Sequence, residues 1–232
     1  MSQQFSSLTI LQEAWNLYRR NFVAVLTLAL PVWVPCIFYE LWKRNVPLAE
    51  GTLANTLRQE VPVTLLLSIL ATSAVYYYLG EEAAGRPAGL KAAAKAGLEF
   101  WSRMFVTRFV IGVVLVVGFI LLVVPGIYLA VRLAVAEPLI LAEEVAGLDA
   151  MRRSWDLTKG KFWRVLGWMV VGALPPLAVA AVIALPFVFL RELQGWPVQA
   201  AGICLMMTPM TFLFPVYWVI CAELRKEDYD VG

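Results

Sequence analysis

The chain has 232 residues, of which 61% are hydrophobic, with a mean hydropathy of +0.73. Soluble domains hold ~45–50% apolar residues, so the composition is that of a single membrane domain spanning residues 1–232, with no length left over for a soluble catalytic domain. The net charge of +2 says little, but the absence of histidine excludes His-based acid/base chemistry, Ser–His–Asp and Cys–His nucleophiles and His-ligated metals.

Residues 1–20 carry no uninterrupted apolar run and end in Arg19 and Arg20, which is not the pattern of a cleavable signal peptide. Neither Ser2 nor the terminal Asp230-Val231-Gly232 fits a lipidation motif. Residues 8–20 read instead as an amphipathic helix. Ile10, Leu11, Ala14, Leu17 and Tyr18 repeat at helical spacing, and Thr9 and Gln12 have the spacing of a capping box.

Six apolar stretches follow, at residues 21–42, 61–79, 105–124, 127–141, 165–190 and 200–221. A bilayer core of ~30 Å needs about 20 such residues in a helix. Five stretches meet that length. The fourth is short, so it either tilts against the third or falls short of spanning. Pro125-Gly126, a breaker pair, is expected to form the turn between the two. Pro31, Pro35, Pro175, Pro176, Pro186, Pro209 and Pro215 are expected to kink the other spans. Kinked spans also build substrate sites in transporters. Gly112, Gly118, Gly167 and Gly172 suit close helix packing. Cys36, Cys204 and Cys221 lie in apolar stretches without a CxxC spacing and read as buried thiols.

Six spans put both termini on one side, together with residues 80–104 and 142–164. Thirteen basic residues lie on that side and four (Lys43, Arg44, Arg58 and Arg191) on the other. The bias places both termini in the cytoplasm.

The segment Trp15-Asn16-Leu17-Tyr18-Arg19-Arg20-Asn21-Phe22 recurs without a gap as Trp155-Asp156-Leu157-Thr158-Lys159-Gly160-Lys161-Phe162, each copy followed by Val-Leu at the same distance. A looser copy occupies residues 90–105. Each reads as an amphipathic helix, over residues 8–20, 88–102 and 147–162. In the second, Leu90, Ala94, Leu98 and Trp101 share one face. In the third, Leu148, Met151, Trp155 and Phe162 oppose Arg152, Arg153, Asp156 and Lys159. Basic, Trp-containing amphipathic helices lie at the headgroup level. The expected fold is therefore an all-α integral membrane protein, with six transmembrane helices as three hairpins and a cytoplasmic interfacial helix before each.

Few residues carry chemistry. Arg132 is a charge within a span, which costs ~2.5–3.5 kcal/mol and should face the bundle interior or a wet cavity. It reads as a contact for a lipid headgroup or other anion, or as a structural charge. Glu137 lies about 140° around a helix from it, which argues against a simple pair within one helix. Arg108 and Glu137 are the remaining intramembrane polar candidates. Arg152, Arg153, Lys159, Lys161 and Arg164 form a basic cluster able to contact anionic lipid, at ~1 kcal/mol per residue. Glu143 and Glu144 point about 100° apart on a helix and read as solvated interface charge. Gly160-Lys161 is no P-loop, because Trp155 and Phe162 replace the required Gly and Ser/Thr.

The run Pro125-Gly126-Ile127-Tyr128-Leu129-Ala130-Val131-Arg132, then Ala136-Glu137-Pro138, then Arg153-Ser154-Trp155-Asp156-Leu157-Thr158-Lys159-Gly160, resembles the membrane-domain family of glycerophosphoryl diester phosphodiesterases together with YciC-like prokaryotic inner-membrane proteins. The resemblance implies a six-span prokaryotic membrane protein. In fused relatives a separate soluble domain with histidines, acidic residues and a divalent metal does the hydrolysis, so the resemblance transfers no catalytic residue. The expected function is a non-enzymatic module of the prokaryotic cytoplasmic membrane, without cofactor or metal. It binds lipid, anionic in character, or supports a partner membrane protein or a second copy, and does not bind nucleic acid. The competing readings are a small-molecule or lipid transporter built on kinked helices and Arg132, and an intramembrane enzyme using Glu137.

Overall fold

The computed structural model describes residues 7–45, 53–145, 147–189 and 196–231. Side chains at 32–34, 36–45, 53–65, 187–189, 196–197, 199–200, 203 and 230–231 lie outside the described set. The described residues form ten α-helices and no strand: α1 (Ser7–Asn45), α2 (Leu53–Ala83), α3 (Leu90–Glu99), α4 (Trp101–Leu121), α5 (Val123–Arg132), α6 (Ala136–Ala142), α7 (Gly147–Leu157), α8 (Phe162–Phe189), α9 (Trp196–Met210) and α10 (Leu213–Val231).

Four stretches among the described residues are long and apolar enough to cross a membrane: Trp101–Leu121, Val123–Ala142, Phe162–Pro186 and Cys204–Tyr229. The stretches expected at 21–42 and 61–79 lie within α1 and α2, with side chains 32–34, 36–42 and 61–65 outside the described set, and Lys43, Arg44, Arg58 and Arg191 also fall outside it. The described residues are thus all-helical, with four candidate membrane spans. Helices α4 and α8 leave most of their surface open to the surroundings, whereas α5–α6 and α10 sit nearer the centre. The core joins Tyr18 and Val25 of α1, Ile69 and Val75 of α2, Leu139 and Ile140 of α6, Trp168 of α8 and Ile220 of α10.

The fourth apolar stretch starts earlier than its composition suggests. Pro125-Gly126 is not the turn. The chain reverses at Leu122, whose backbone is extended (φ −169°, ψ 154°), and α5 begins at Val123. Gly126 instead permits close approach. A Cβ there would stand 2.5 Å from the Phe119 ring, and one at Gly118 would meet Leu129 at 2.8 Å. Gly172 is equally tight against Val216, but Gly112 and Gly167 face open space. With its true start, the stretch has 20 residues, about 30 Å of helix, and the apparent shortness disappears.

That stretch is also broken, at Leu133-Ala134-Val135, between α5 and α6. The last stretch, expected as one helix over 200–221, is broken too, at Thr211-Phe212. Proline explains where the helices restart. Pro125, Pro138 and Pro215 each occupy the third position of a helix, in α5, α6 and α10. The first four N–H groups of a helix have no intrahelical acceptor, so a proline there removes no bond. These prolines open helices rather than kink them, whereas Pro175, Pro176 and Pro186 lie inside a continuous α8.

Of the three expected interfacial helices, two are separate elements, α3 and α7. The first is not. Residues 8–20 form the start of a single 39-residue helix, α1, about 58 Å long. It has begun by Ser7, so Thr9 lies in its first turn and not at its cap. The duplicated sequence diverges structurally from its fourth position, where Thr158 enters a turn and Tyr18 stays helical. Gly160 adopts φ +75° and ends the turn after α7, where its counterpart Arg20 stays helical. The third helix therefore stops at Leu157 and not at residue 162.

All three segments turn small residues to the protein: Ala14 in α1; Ala93, Ala96 and Gly97 in α3; Gly147, Ala150 and Ser154 in α7. Leu8, Trp15, Leu90, Leu98 and Leu148 remain exposed, whereas Ile10 and Tyr18 of α1 and Leu157 of α7 are buried. In α3 the face bearing Leu90 and Leu98 is accordingly the outer one.

Candidate functional site

The break in the fourth stretch organises the polar residues around it. It leaves the last carbonyls of α5 and the first N–H groups of α6 without helical partners, with negative and positive helix-dipole ends facing the gap. Arg132 is the last residue of α5, and Glu137 lies in the first turn of α6. Each stands where its charge is favoured by the adjoining dipole.

The Arg132 side chain is only 3% exposed and has no acidic partner among the described residues. Its guanidinium lies over the Trp155 ring at 4.3 Å and near Tyr128 at 5.8 Å. A desolvated cation–π contact supplies ~2 kcal/mol or more, which with the dipole offsets part of the cost of burial. Its Nε has no hydrogen-bond partner. The Arg132 carbonyl accepts a hydrogen bond from the Ser154 hydroxyl at 2.8 Å. The Thr158 hydroxyl lies 3.3 Å from the same oxygen, but closer (2.8 Å) to the Ser154 carbonyl. Tyr128 packs edge-on to Trp155 and against Phe162. The Tyr-Leu-Ala-Val-Arg and Arg-Ser-Trp-Asp-Leu-Thr segments are thus one clamp, with α7 closing the gap that the broken span leaves.

The other copy of the repeat does the same at the other break. Tyr18, the counterpart of Thr158, donates its hydroxyl hydrogen to the Thr208 carbonyl at 3.2 Å and is hydrogen-bonded to the Thr211 hydroxyl at 2.8 Å. Burial raises the Tyr18 phenol above its ordinary range, although the Thr211 hydrogen bond pulls it back.

Glu137 pairs with Arg108 of α4, not with Arg132. Nε donates to one carboxylate oxygen at 2.8 Å and Nη2 to the other at 2.6 Å. Arg108 also donates to Ser68 at 3.1 Å and Thr72 at 3.3 Å, both on α2. One guanidinium therefore ties α2, α4 and α6 together, with Arg108 and Glu137 22% and 23% exposed. Every nitrogen of Arg108 is engaged, which suits a brace rather than a reactive group. Ser68 and Thr72 carried no signal in the sequence, since isolated hydroxyls in a span most often bond their own helix, as Thr72 does to the Ser68 carbonyl.

The basic cluster is largely matched by carboxylates. Arg153 bonds Glu143 at 3.2 Å and Asp228 at 2.8 Å. Arg225 donates to the second oxygen of Glu143 at 3.0 Å. Lys161 and Arg164 share Glu227. Arg152 makes only an exposed 3.5 Å contact with Asp149, and Lys159 is exposed. Glu143 is therefore a junction of α6, α7 and α10 rather than solvated charge. Its partner Arg225 lies 82 residues away in sequence, beyond any local pattern.

A transport path through Arg132 requires a water-accessible cavity there. Arg132 lines neither a cavity of about 470 Å³ where the ends of α2 and α6 meet α10 nor one of about 390 Å³ beside Trp155.

A family model described as the membrane domain of glycerophosphoryl diester phosphodiesterase matches residues 100–225, more than half of the chain and the whole clamp. No curated protein and no solved structure matches the chain.

Proposed function

The chain belongs to the family of membrane domains of glycerophosphoryl diester phosphodiesterase, and from that premise we propose that it is a non-catalytic module of the prokaryotic cytoplasmic membrane that holds anionic lipid or supports a partner membrane protein. It does so with six spans in three hairpins and both termini in the cytoplasm. The distribution of basic residues supports that orientation. The saturation of Arg108 and Glu137, and the burial of Arg132 on Trp155, support a bracing role for its intramembrane charges.

The observation that carries the lipid reading is the outer face around the α7–α8 turn. Trp163 is 80% exposed, and Lys159, Arg152 and Leu148 are exposed in the segment before it. Exposed aromatic, aliphatic and basic groups gathered in one stretch of chain match the headgroup level, where an amphipathic helix meets both acyl chain and phosphate. Arg132 contributes by setting α7 against the bundle.

Native mass spectrometry of the detergent-extracted protein tests the reading. Wild type is expected to retain phosphatidylglycerol, and the Arg152→Ala/Lys159→Ala double variant to lose most of it. A wild type without lipid adducts and without a co-purifying membrane protein would overturn the proposal.

A further inference from the structure

The cavity of about 470 Å³ opens where the ends of α2 and α6 meet α10 and the α3–α4 junction. Tyr77 and Trp218 contribute aromatic lining, and Arg86, Glu143, Glu144 and Arg225 supply charge. Most of that charge is already matched. Glu81 holds Arg86 through two hydrogen bonds of 2.8 and 2.6 Å. Glu143 is shared between Arg225 and Arg153. Two groups are left over. Arg225 uses only its Nε, so its terminal nitrogens have no partner among the described residues, and neither does the carboxylate of Glu144.

These two opposite charges line the same cavity. Glu144 follows Glu143, to which Arg225 is bonded. The Glu144 backbone is fixed by a hydrogen bond from Arg103 to its carbonyl at 3.1 Å, in a left-handed conformation with φ 52°. A volume of this size falls in the ~300–1,000 Å³ range of small-ligand sites. The free N–H edge of a guanidinium matches a phosphate, and a carboxylate beside aromatic faces suits an ammonium group.

We propose that this cavity binds a small zwitterion of the phosphoethanolamine type. Its phosphate sits on the free edge of Arg225 and its ammonium group at Glu144, within the aromatic lining that Tyr77 and Trp218 supply. The same chemistry is available from a zwitterionic phospholipid headgroup or from soluble phosphoethanolamine. The inference rests on the reading above only for the depth of the cavity at the headgroup level. The volume and the two unmatched charges stand without it.

The test uses the full chain in detergent, stripped of lipid. Calorimetry with soluble phosphoethanolamine, inorganic phosphate and glycine is paired with native mass spectrometry after exposure to phosphatidylethanolamine or phosphatidylglycerol. Phosphoethanolamine is expected to bind about tenfold more tightly than inorganic phosphate or glycine. Glu144→Gln, at an exposed side chain with no partner among the described residues, should abolish that preference and leave phosphate binding unchanged. Arg225→Gln should weaken both, with thermal unfolding recorded to check that the fold survives.

Retention of phosphatidylethanolamine without binding of the soluble compound assigns the site to the lipid headgroup, and the converse assigns it to a soluble ligand. Either supports the cavity. Equal binding of glycine, no effect of Glu144→Gln on either source, or retention of phosphatidylglycerol alone would overturn it, and the last of these would leave the module reading intact.

Discussion

The Ser154 hydroxyl donates to the Arg132 carbonyl at 2.8 Å, so a residue of an amphipathic helix satisfies the backbone of a broken span 22 positions earlier. The bond is buried and the oxygen has lost its helical donor, which makes this hydrogen bond costly to remove.

Ser154→Ala is expected to lower stability by ~1–3 kcal/mol, the cost of leaving a buried carbonyl unpaired. Thr158 lies too far to compensate fully, because its single proton serves the nearer Ser154 carbonyl. Thermal unfolding in detergent measures this, and an unchanged midpoint would show that another donor reaches Arg132.

Glu137→Gln and Arg108→Met each strand one charge of a mostly buried pair and are expected to destabilise by a few kcal/mol, at or below the ~3–5 kcal/mol of a fully buried pair. The double change Arg108→Met/Glu137→Met removes both charges and should recover much of the loss. A double-mutant cycle gives the coupling, and strict additivity would mean that the pair contributes no specific interaction.

Gly160→Ala forces a Cβ into a left-handed position at φ +75° and should cost ~1–2 kcal/mol. Glu144→Gly acts in the opposite sense at φ 52°, with a gain of up to ~1 kcal/mol once the added freedom of the unfolded chain is subtracted. Opposite shifts of the unfolding midpoint are the expected signature.

Glu143→Gln removes the common partner of Arg153 and Arg225. Both arginines are partly exposed, so the expected loss is ~1 kcal/mol. It should shrink in 1 M salt, where the Debye length falls to ~3 Å. A salt-independent loss would point to packing of the α6 end instead.

Composition and apolar run length by themselves determined that this chain is helical and belongs in a membrane, because the bilayer selects on hydropathy and length alone. The clamp motif was visible as a run of residues, and the repeat as a register. Where helices begin was not visible. A proline reads the same whether it interrupts a helix or opens one, and only the paths of α5, α6 and α10 distinguished the two at Pro125, Pro138 and Pro215.

Tertiary structure alone decided the partners. Arg108 meets Glu137 across 29 residues, and Arg225 meets Glu143 across 82. A local pattern reaches three or four positions along a helix, whereas pairing across helices depends on how the bundle packs.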